Sequence, residues 1–216
     1  MTTLHYIFDP LCGWSYAAAP LISAARGVPG LGIAFHSGGM LTGASRRAIT
    51  PQWRDHVTPH DRRIAQLTGQ PFGAAYLDGL LRDTSAVMDS APPSTAILAA
   101  EELAGRGLDM LHRVQRAHYA EGRRIADTPV LAELARELGL DPAGFAAAFA
   151  RLAGPATDRH FTESRQWLAR CGGQGFPTIA LERGDGALER LDLGPWLGRV
   201  AEWSEHLHRR IPAAAQ

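Results

Sequence analysis

The chain contains no lysine: all 22 of its basic residues are arginine. That absence excludes a catalytic Schiff-base lysine and a phosphate-loop lysine. Cysteine is scarce, with two in 216 residues, too few for a disulfide scaffold or a four-thiolate zinc site. No segment approaches the ~20 uninterrupted apolar residues that a membrane-spanning helix needs. Neither sign of charge is in excess, because 22 acidic residues balance the arginines. No global field therefore draws the chain to nucleic acid or anionic lipid. The first residues run straight into an apolar strand, without a basic region and apolar export segment, so the chain is expected to be cytoplasmic. What is there is ordinary for one large domain, or a core carrying an insertion: 45% hydrophobic and 20% charged residues.

Residues 4–8 form an apolar run closed by Asp9-Pro10, which reads as a buried strand. Residues 12–26 read as a helix, with Trp14, Ala17, Ala18, Leu21 and Ala25 at helical spacing and Gly27 as its stop. Pro20 inside it predicts a kink. Residues 33–35 are a second strand candidate. From about 44 to 171 the signal is helical. Thr58-Pro59 predicts a helix start and Gly69 its end. Further helices are expected over 72–82, 95–104 and 107–121, then after Asp127 and Asp141, and over 155–170. Residues 178–182 and 187–191 then pair as a hairpin. The segment 195–210 closes the chain as a helix with Trp196, Val200, Trp203 and Leu207 inward. Strands on both sides of the helical block predict an α/β core, residues 1–43 and 172–216, interrupted by an all-helical subdomain, 44–171.

The sharpest chemical feature is Cys12-Gly13-Trp14-Ser15, placed where a strand hands over to a helix. Unpaired N–H groups and the helix dipole at such a position lower a cysteine pKa from ~8.5 into roughly the 3.5–7.5 range. A drop to ~6.5 raises the thiolate fraction at pH 7 by about 25-fold and lowers intrinsic nucleophilicity about 8-fold. The net gain as an attacker is about 3-fold, and the larger gain is as a leaving group. Ser15 lies one turn on and can donate a hydrogen bond to a Cys12 thiolate. It cannot resolve a mixed disulfide. The competing reading makes Cys12 a small buried hydrophobe and Ser15 a first-turn polar residue. Phe176-Pro177 opens the late hairpin. Pro177 lacks an N–H and holds Phe176 extended, leaving a backbone edge free for a substrate's main chain. X–Pro bonds are cis in only ~5–6% of folded cases, so an ordinary trans strand start is the competing reading.

Taken together, the strand, Cys-Gly-Trp-Ser at a helix start, the helical insertion and Gly175-Phe176-Pro177-Thr178 before a hairpin resemble the DsbA family of thioredoxin-fold proteins. The resemblance is closest to its cytoplasmic FrnE-like branch of predicted protein-disulfide isomerases. Gly38-Gly39-Met40, Pro59-His60-Asp61-Arg62-Arg63, Gly69-Gln70-Pro71-Phe72-Gly73 and Met88-Asp89-Ser90 resemble that branch too. The resemblance implies a thioredoxin-like fold with a helical insertion and thiol–disulfide exchange. It implies Cys12 as nucleophile and Pro177 as a cis-proline beside the site, and with these Ser15 is expected as the thiolate partner and Gly13, Trp14 and Phe176 at the substrate site. It implies no resident cofactor or metal. Protein thiols and disulfides or glutathione are the implied partners, with a homodimer one assembly open to it. One departure stands out: the family usually carries a second cysteine at the position of Ser15.

An alternative is a glutathione-dependent transferase or isomerase, like the kappa-class transferases and hydroxychromene-carboxylate isomerases, with Ser15 or Cys12 donating a hydrogen bond to a bound thiolate. A third reading likens Cys12–Ser15 to the Cys-Gly-Phe-Ser of cluster-binding monothiol glutaredoxins, which are about half this length and use an upstream lysine. Cys171 is a resolving-thiol candidate whose structural alternative is simple burial. The histidine pairs 56/60, 112/118 and 206/208 show no metal-ligand pattern and are expected to be solvated or capping. Arg62-Arg63 and Arg123-Arg124 read as a solvated face, or as a landing place for a glutathione carboxylate.

Overall fold

A computed structural model describes residues 2–211. Strand β1 (Thr2–Phe8) leads into helix α1 (Gly13–Ala25), then strand β2 (Leu31–Ser37). Near the other end come β5 (Thr178–Glu182), β6 (Leu188–Leu191) and α8 (Val200–Arg210). Between them lie β3 (Arg47–Ala48), α2 (Pro51–Thr68), β4 (Val87–Met88), α3 (Ala91–Ala104), α4 (Gly107–Tyr119), α5 (Thr128–Glu137), α6 (Pro142–Leu152) and α7 (Pro155–Arg170). The main sheet runs β2-β1-β5-β6. β1 and β2 are parallel, and both hairpin strands run antiparallel to their neighbours. This is the α/β thioredoxin-like architecture with a helical insertion.

Side-chain alternation along β1 assigns the two faces of the sheet. Leu4, Tyr6 and Phe8 are fully buried in the main core, the side on which α1 packs with α8. Trp203 of α8 is wholly buried, and its indole Nε1 donates to the Leu21 carbonyl of α1 at 3.0 Å. The intervening residues face α7: Ile7 clusters with Cys171 and Ala180, and the His5 ring stacks on Trp167 at 3.9 Å. The sheet is therefore sandwiched between α1 and α8 on one side and α7 on the other.

Several boundaries differ from the sequence reading. Thr58-Pro59 does not start a helix: α2 begins eight residues earlier, where Thr50 caps it by accepting from the Trp53 N–H at 3.1 Å. Thr50-Pro51 carries the same cap-plus-proline signature, and Pro59 is absorbed in mid-helix, while Gly69 ends the helix at φ 70° as expected. The expected helix over 72–82 is a wide turn at Ala75–Gly79 followed by a tight one at Leu80–Arg82. The closing helix starts at Val200, after a separate short turn at Gly194–Trp196. The two-residue strands β3 and β4 carry no periodic signal, and the sequence reading lacks them. His118, expected to be solvated or capping, is buried in α4 against the rings of Tyr76 and Tyr119. Trp203 is core, whereas Trp167 and Trp196 are only partly buried.

Candidate active site

Cys12 is the N-cap of α1, in an extended conformation. Its N–H closes a turn on the Asp9 carbonyl at 3.1 Å, and its own carbonyl accepts the first helical bond from the Tyr16 N–H. Asp9 is fully buried and fixes this turn. Its carboxylate accepts from the Leu11 N–H at 2.9 Å, the Met40 N–H at 2.6 Å and the Ser90 hydroxyl at 2.9 Å. One side chain thereby ties the β1–α1 turn to the loop after β2 and to the start of α3. Gly13 fits because a Cβ there would stand 3.1 Å from the Ile64 side chain and 3.2 Å from Asp61 Oδ1.

The thiol of Cys12 donates to the carbonyl of Phe176 at 3.3 Å. The Phe176–Pro177 peptide is cis. Its position depends on the Gly38-Gly39 loop: a Cβ at residue 38 would stand 2.1 Å from the Phe176 ring. That loop is pinned by Arg165 of α7, which donates to the Gly38 and Gly39 carbonyls at 3.1 and 2.9 Å. The fold thus brings Cys12, Gly13, Trp14, Ser15, Phe176 and Pro177 to one place. Cys171 lies against Ile7 and Ala180 on the α7 face of the sheet, and both thiols are free.

The electrostatics reverse the expectation for Cys12. Its side chain is buried, and desolvation pushes the thiol pKa up rather than down. The Ser15 N–H and hydroxyl and the Trp14 N–H act in the opposite direction, and the Asp9 carboxylate adds to the rise. The dipole argument counts these donors but misses the lost hydration, which outweighs them. Ser15 is itself wholly buried, and its oxygen accepts from the Asp9 N–H at 3.3 Å. Its hydroxyl hydrogen is therefore available to the sulfur.

Two cavities meet at Trp14. One, of about 500 Å³, runs along Phe176, Pro177 and Arg190. The other, of about 230 Å³, reaches from Cys12 toward α2 and contains Asp61, Tyr76 and His118. Asp61 is almost completely buried and accepts from the Tyr76 hydroxyl at 2.9 Å. Burial pushes its pKa up to about 6, and burial lowers that of His118 to about 4. At neutral pH this pocket holds a neutral imidazole and a carboxylate close to protonation. Because folding raises the Asp61 pKa, its contribution to stability is fully present below about pH 4 and is lost as pH rises through about 6. Asp61→Asn is therefore expected to stabilise the protein at pH 8 by roughly 2–3 kcal/mol, with the gain fading toward pH 4. Melting curves at both pH values check this, and an equal gain at both would refute the assignment.

Asp9, Arg165, Asp61 and Tyr76 carry no site role in the sequence reading. Asp61 lies in a segment that resembles the family, and Asp9 closes the strand just before the Cys12 motif, but nothing in the sequence signals their burial. Arg123 and Arg124 are engaged by Glu133, Glu137 and Asp83. Among the described residues no group of three or more His, Cys, Asp or Glu could hold a metal ion. No described helix is long and apolar enough to cross a membrane.

Comparison with known proteins places this arrangement. A family model described as DSBA-like thioredoxin domain matches residues 3–193. The cytosolic disulfide reductase DsbM from Pseudomonas aeruginosa superposes with a TM-score of 0.90 at 56% identity, covering 96% of this chain and 98% of that one. The structure of the same reductase with GSH gives 0.90 at 54% identity, covering 98% and 100%. A 2-hydroxychromene-2-carboxylate isomerase shares the fold, at a TM-score of 0.59 and 18% identity over 96% and 97%. No curated protein matches the sequence.

Proposed function

We propose, from the premise that the chain belongs to the DSBA-like thioredoxin domain family and is a thiol–disulfide oxidoreductase, that it reduces mixed disulfides in the cytoplasm through Cys12 alone, with glutathione as co-substrate. The observation that carries this reading is the 3.3 Å contact between the Cys12 thiol and the Phe176 carbonyl, which puts the only thiol of the motif on the ledge beside Pro177. The likeness to a reductase whose structure is described with GSH supports the choice of co-substrate.

In the first step the Cys12 thiolate attacks the glutathione sulfur of a mixed disulfide. A Cys12–glutathione disulfide forms, and the substrate leaves as a thiolate that takes up a proton. In the second step a free glutathione thiolate attacks the glutathione sulfur of that intermediate. Oxidised glutathione leaves, and Cys12 is restored as a thiolate. Ser15 cannot replace the second nucleophile, because a hydroxyl does not open a disulfide, so external thiol must complete the cycle.

The resting thiol is neutral because it is buried, and it donates its hydrogen bond to the Phe176 carbonyl. A substrate main chain that docks on the ledge and engages this carbonyl removes the acceptor favouring the neutral form. The Ser15 hydroxyl and the N–H groups of Ser15 and Trp14 remain to hold the anion. Trp14, Gly13, Phe176 and Pro177 line the docking groove in this reading.

Incubation with oxidised glutathione followed by peptide mass mapping tests the proposal. One glutathione adduct is expected on Cys12, released by reduced glutathione, with Cys171 unmodified. An unmodified Cys12, or an adduct that reduced glutathione cannot discharge, would sink it. The raised thiol pKa favours one second reading, in which a neutral Cys12 donates a hydrogen bond to a bound glutathione thiolate in transferase or isomerase chemistry. Turnover that survives Cys12 alkylation would select that alternative.

A further inference from the structure

We propose that the cleft between α1 and α4 is a second small-molecule site, and that it takes an organic carboxylate with an apolar body and a hydroxyl beside the carboxylate. The cleft has a volume of about 500 Å³ and does not include Cys12. This lies within the ~300–1,000 Å³ range of ligand sites, at a junction between packed elements where such sites concentrate.

One stripe of α4 forms its wall. Leu108, Leu111, His112 and Gln115 recur at helical spacing, and Ile22 of α1 faces them across the cleft. Gln115 is the decisive residue. It is fully buried on this stripe, and neither its amide nitrogen nor its amide oxygen finds a hydrogen-bond partner among the described residues. Buried amides are almost always paired, because leaving one unpaired costs stability.

The charges select the ligand's sign and size. Four arginines line the cleft against two acids. Arg26 and Arg106 share the single carboxylate of Asp109 at 2.5 and 3.0 Å, which leaves this end of the cleft positive. Arg113 uses Nη2 on Glu121 at 2.8 Å and Nε on Glu137 at 2.6 Å, while its buried Nη1 has no partner among the described residues. Arg116 stands 3.6 Å from Glu121. Arg113 Nη1 is the one buried guanidinium nitrogen left without a partner among the described residues, and it suits a carboxylate oxygen. Arg113 Nη1 and the Gln115 NH₂ are each left as a donor that a ligand carboxylate can take. The Gln115 carbonyl oxygen then wants a donor, which a neighbouring hydroxyl supplies. The leucine walls accept a ring or branched carbon body.

Calorimetric titration and amide spectra of the full chain with salicylate test this, with benzyl alcohol as the neutral control. Salicylate is expected to saturate with a dissociation constant of about 1 mM or tighter, with shifts on α1 and α4, and benzyl alcohol is expected not to bind. Gln115→Leu replaces an unpaired buried amide with an apolar group of similar size. It should melt no lower than the parent and bind salicylate at least about tenfold more weakly. Gln115→Glu, which faces the carboxylate with a like charge, should abolish binding. The proposal is overturned by the absence of saturation, by shifts confined to the Cys12 groove, or by undiminished affinity in the variants. It is also overturned if Gln115→Leu melts lower, since the amide would then be paired within the fold. These readouts do not depend on disulfide exchange at Cys12.

Discussion

Cys12→Ala is expected to reduce glutathione-dependent reduction of a glutathionylated peptide to the rate of glutathione alone, a loss of roughly 10³-fold or more. No other side chain at the ledge can form the mixed disulfide: Ser15 offers a hydroxyl, and Cys171 is buried against Ile7 and Ala180. The substitution is small and leaves the Asp9 turn intact, so the loss should appear without a change in melting temperature. The parent's pH dependence tests the same assignment from another side. Burial raises the Cys12 pKa, so alkylation in the absence of substrate should climb through neutral pH and still be rising above about 8.5. Each unit by which the pKa rises lowers the thiolate fraction at pH 7 about tenfold and raises intrinsic nucleophilicity only about threefold. The free protein's thiol should accordingly be slower than an ordinary cysteine toward small alkylating agents. Steady-state rates of the variant and an alkylation profile of the parent are the two measurements. A variant that retains turnover above the glutathione background would refute Cys12 as the nucleophile.

The second large effect concerns stability. Trp203→Ala is expected to cost about 3–5 kcal/mol, the range for emptying a buried aromatic site. Trp203 is wholly buried and hydrogen-bonded to the Leu21 carbonyl of α1, and its ring packs beside Trp196 and His206. For a chain of this size the loss corresponds to a fall in melting temperature of roughly 10 °C. Trp203→Phe keeps most of the volume and removes only the indole donor, so it should cost about 1–2 kcal/mol. Chemical denaturation of both variants separates the two contributions. Equal losses would mean that the hydrogen bond, not the packing, holds α8 to α1.

The sequence showed most of the architecture and singled out Cys12 and Phe176-Pro177, because both rest on local signals. The apolar run bounded by Asp9-Pro10, the spacing of α7 and the late hairpin are patterns a few residues long. Cys12 and Phe176-Pro177 stand out by residue type. What escaped depends on burial, which no short window reports. The direction of the Cys12 pKa turns on how much water the fold removes from the sulfur, and that is set by segments far away in sequence. The same holds for Asp9, whose three donors come from its own turn, from Met40 and from Ser90. It holds for Asp61 and Tyr76 as well, which meet across 15 positions of chain, Tyr76 lying in the wide turn Ala75–Gly79. The start of α2 was misplaced for a different reason: two Thr-Pro pairs compete, and only packing chooses between them.

The thiol and the carbonyl that accepts its hydrogen bond are separated by 164 positions in the chain. During synthesis, Cys12 emerges long before Phe176 and for that interval is an ordinary, hydrated cysteine at the end of an unfinished strand. When the late hairpin pairs with β1, it brings the Phe176 carbonyl to the sulfur. The reactivity assigned to this site is in that sense a property of the finished polypeptide, and an incomplete copy carries the residue without the chemistry.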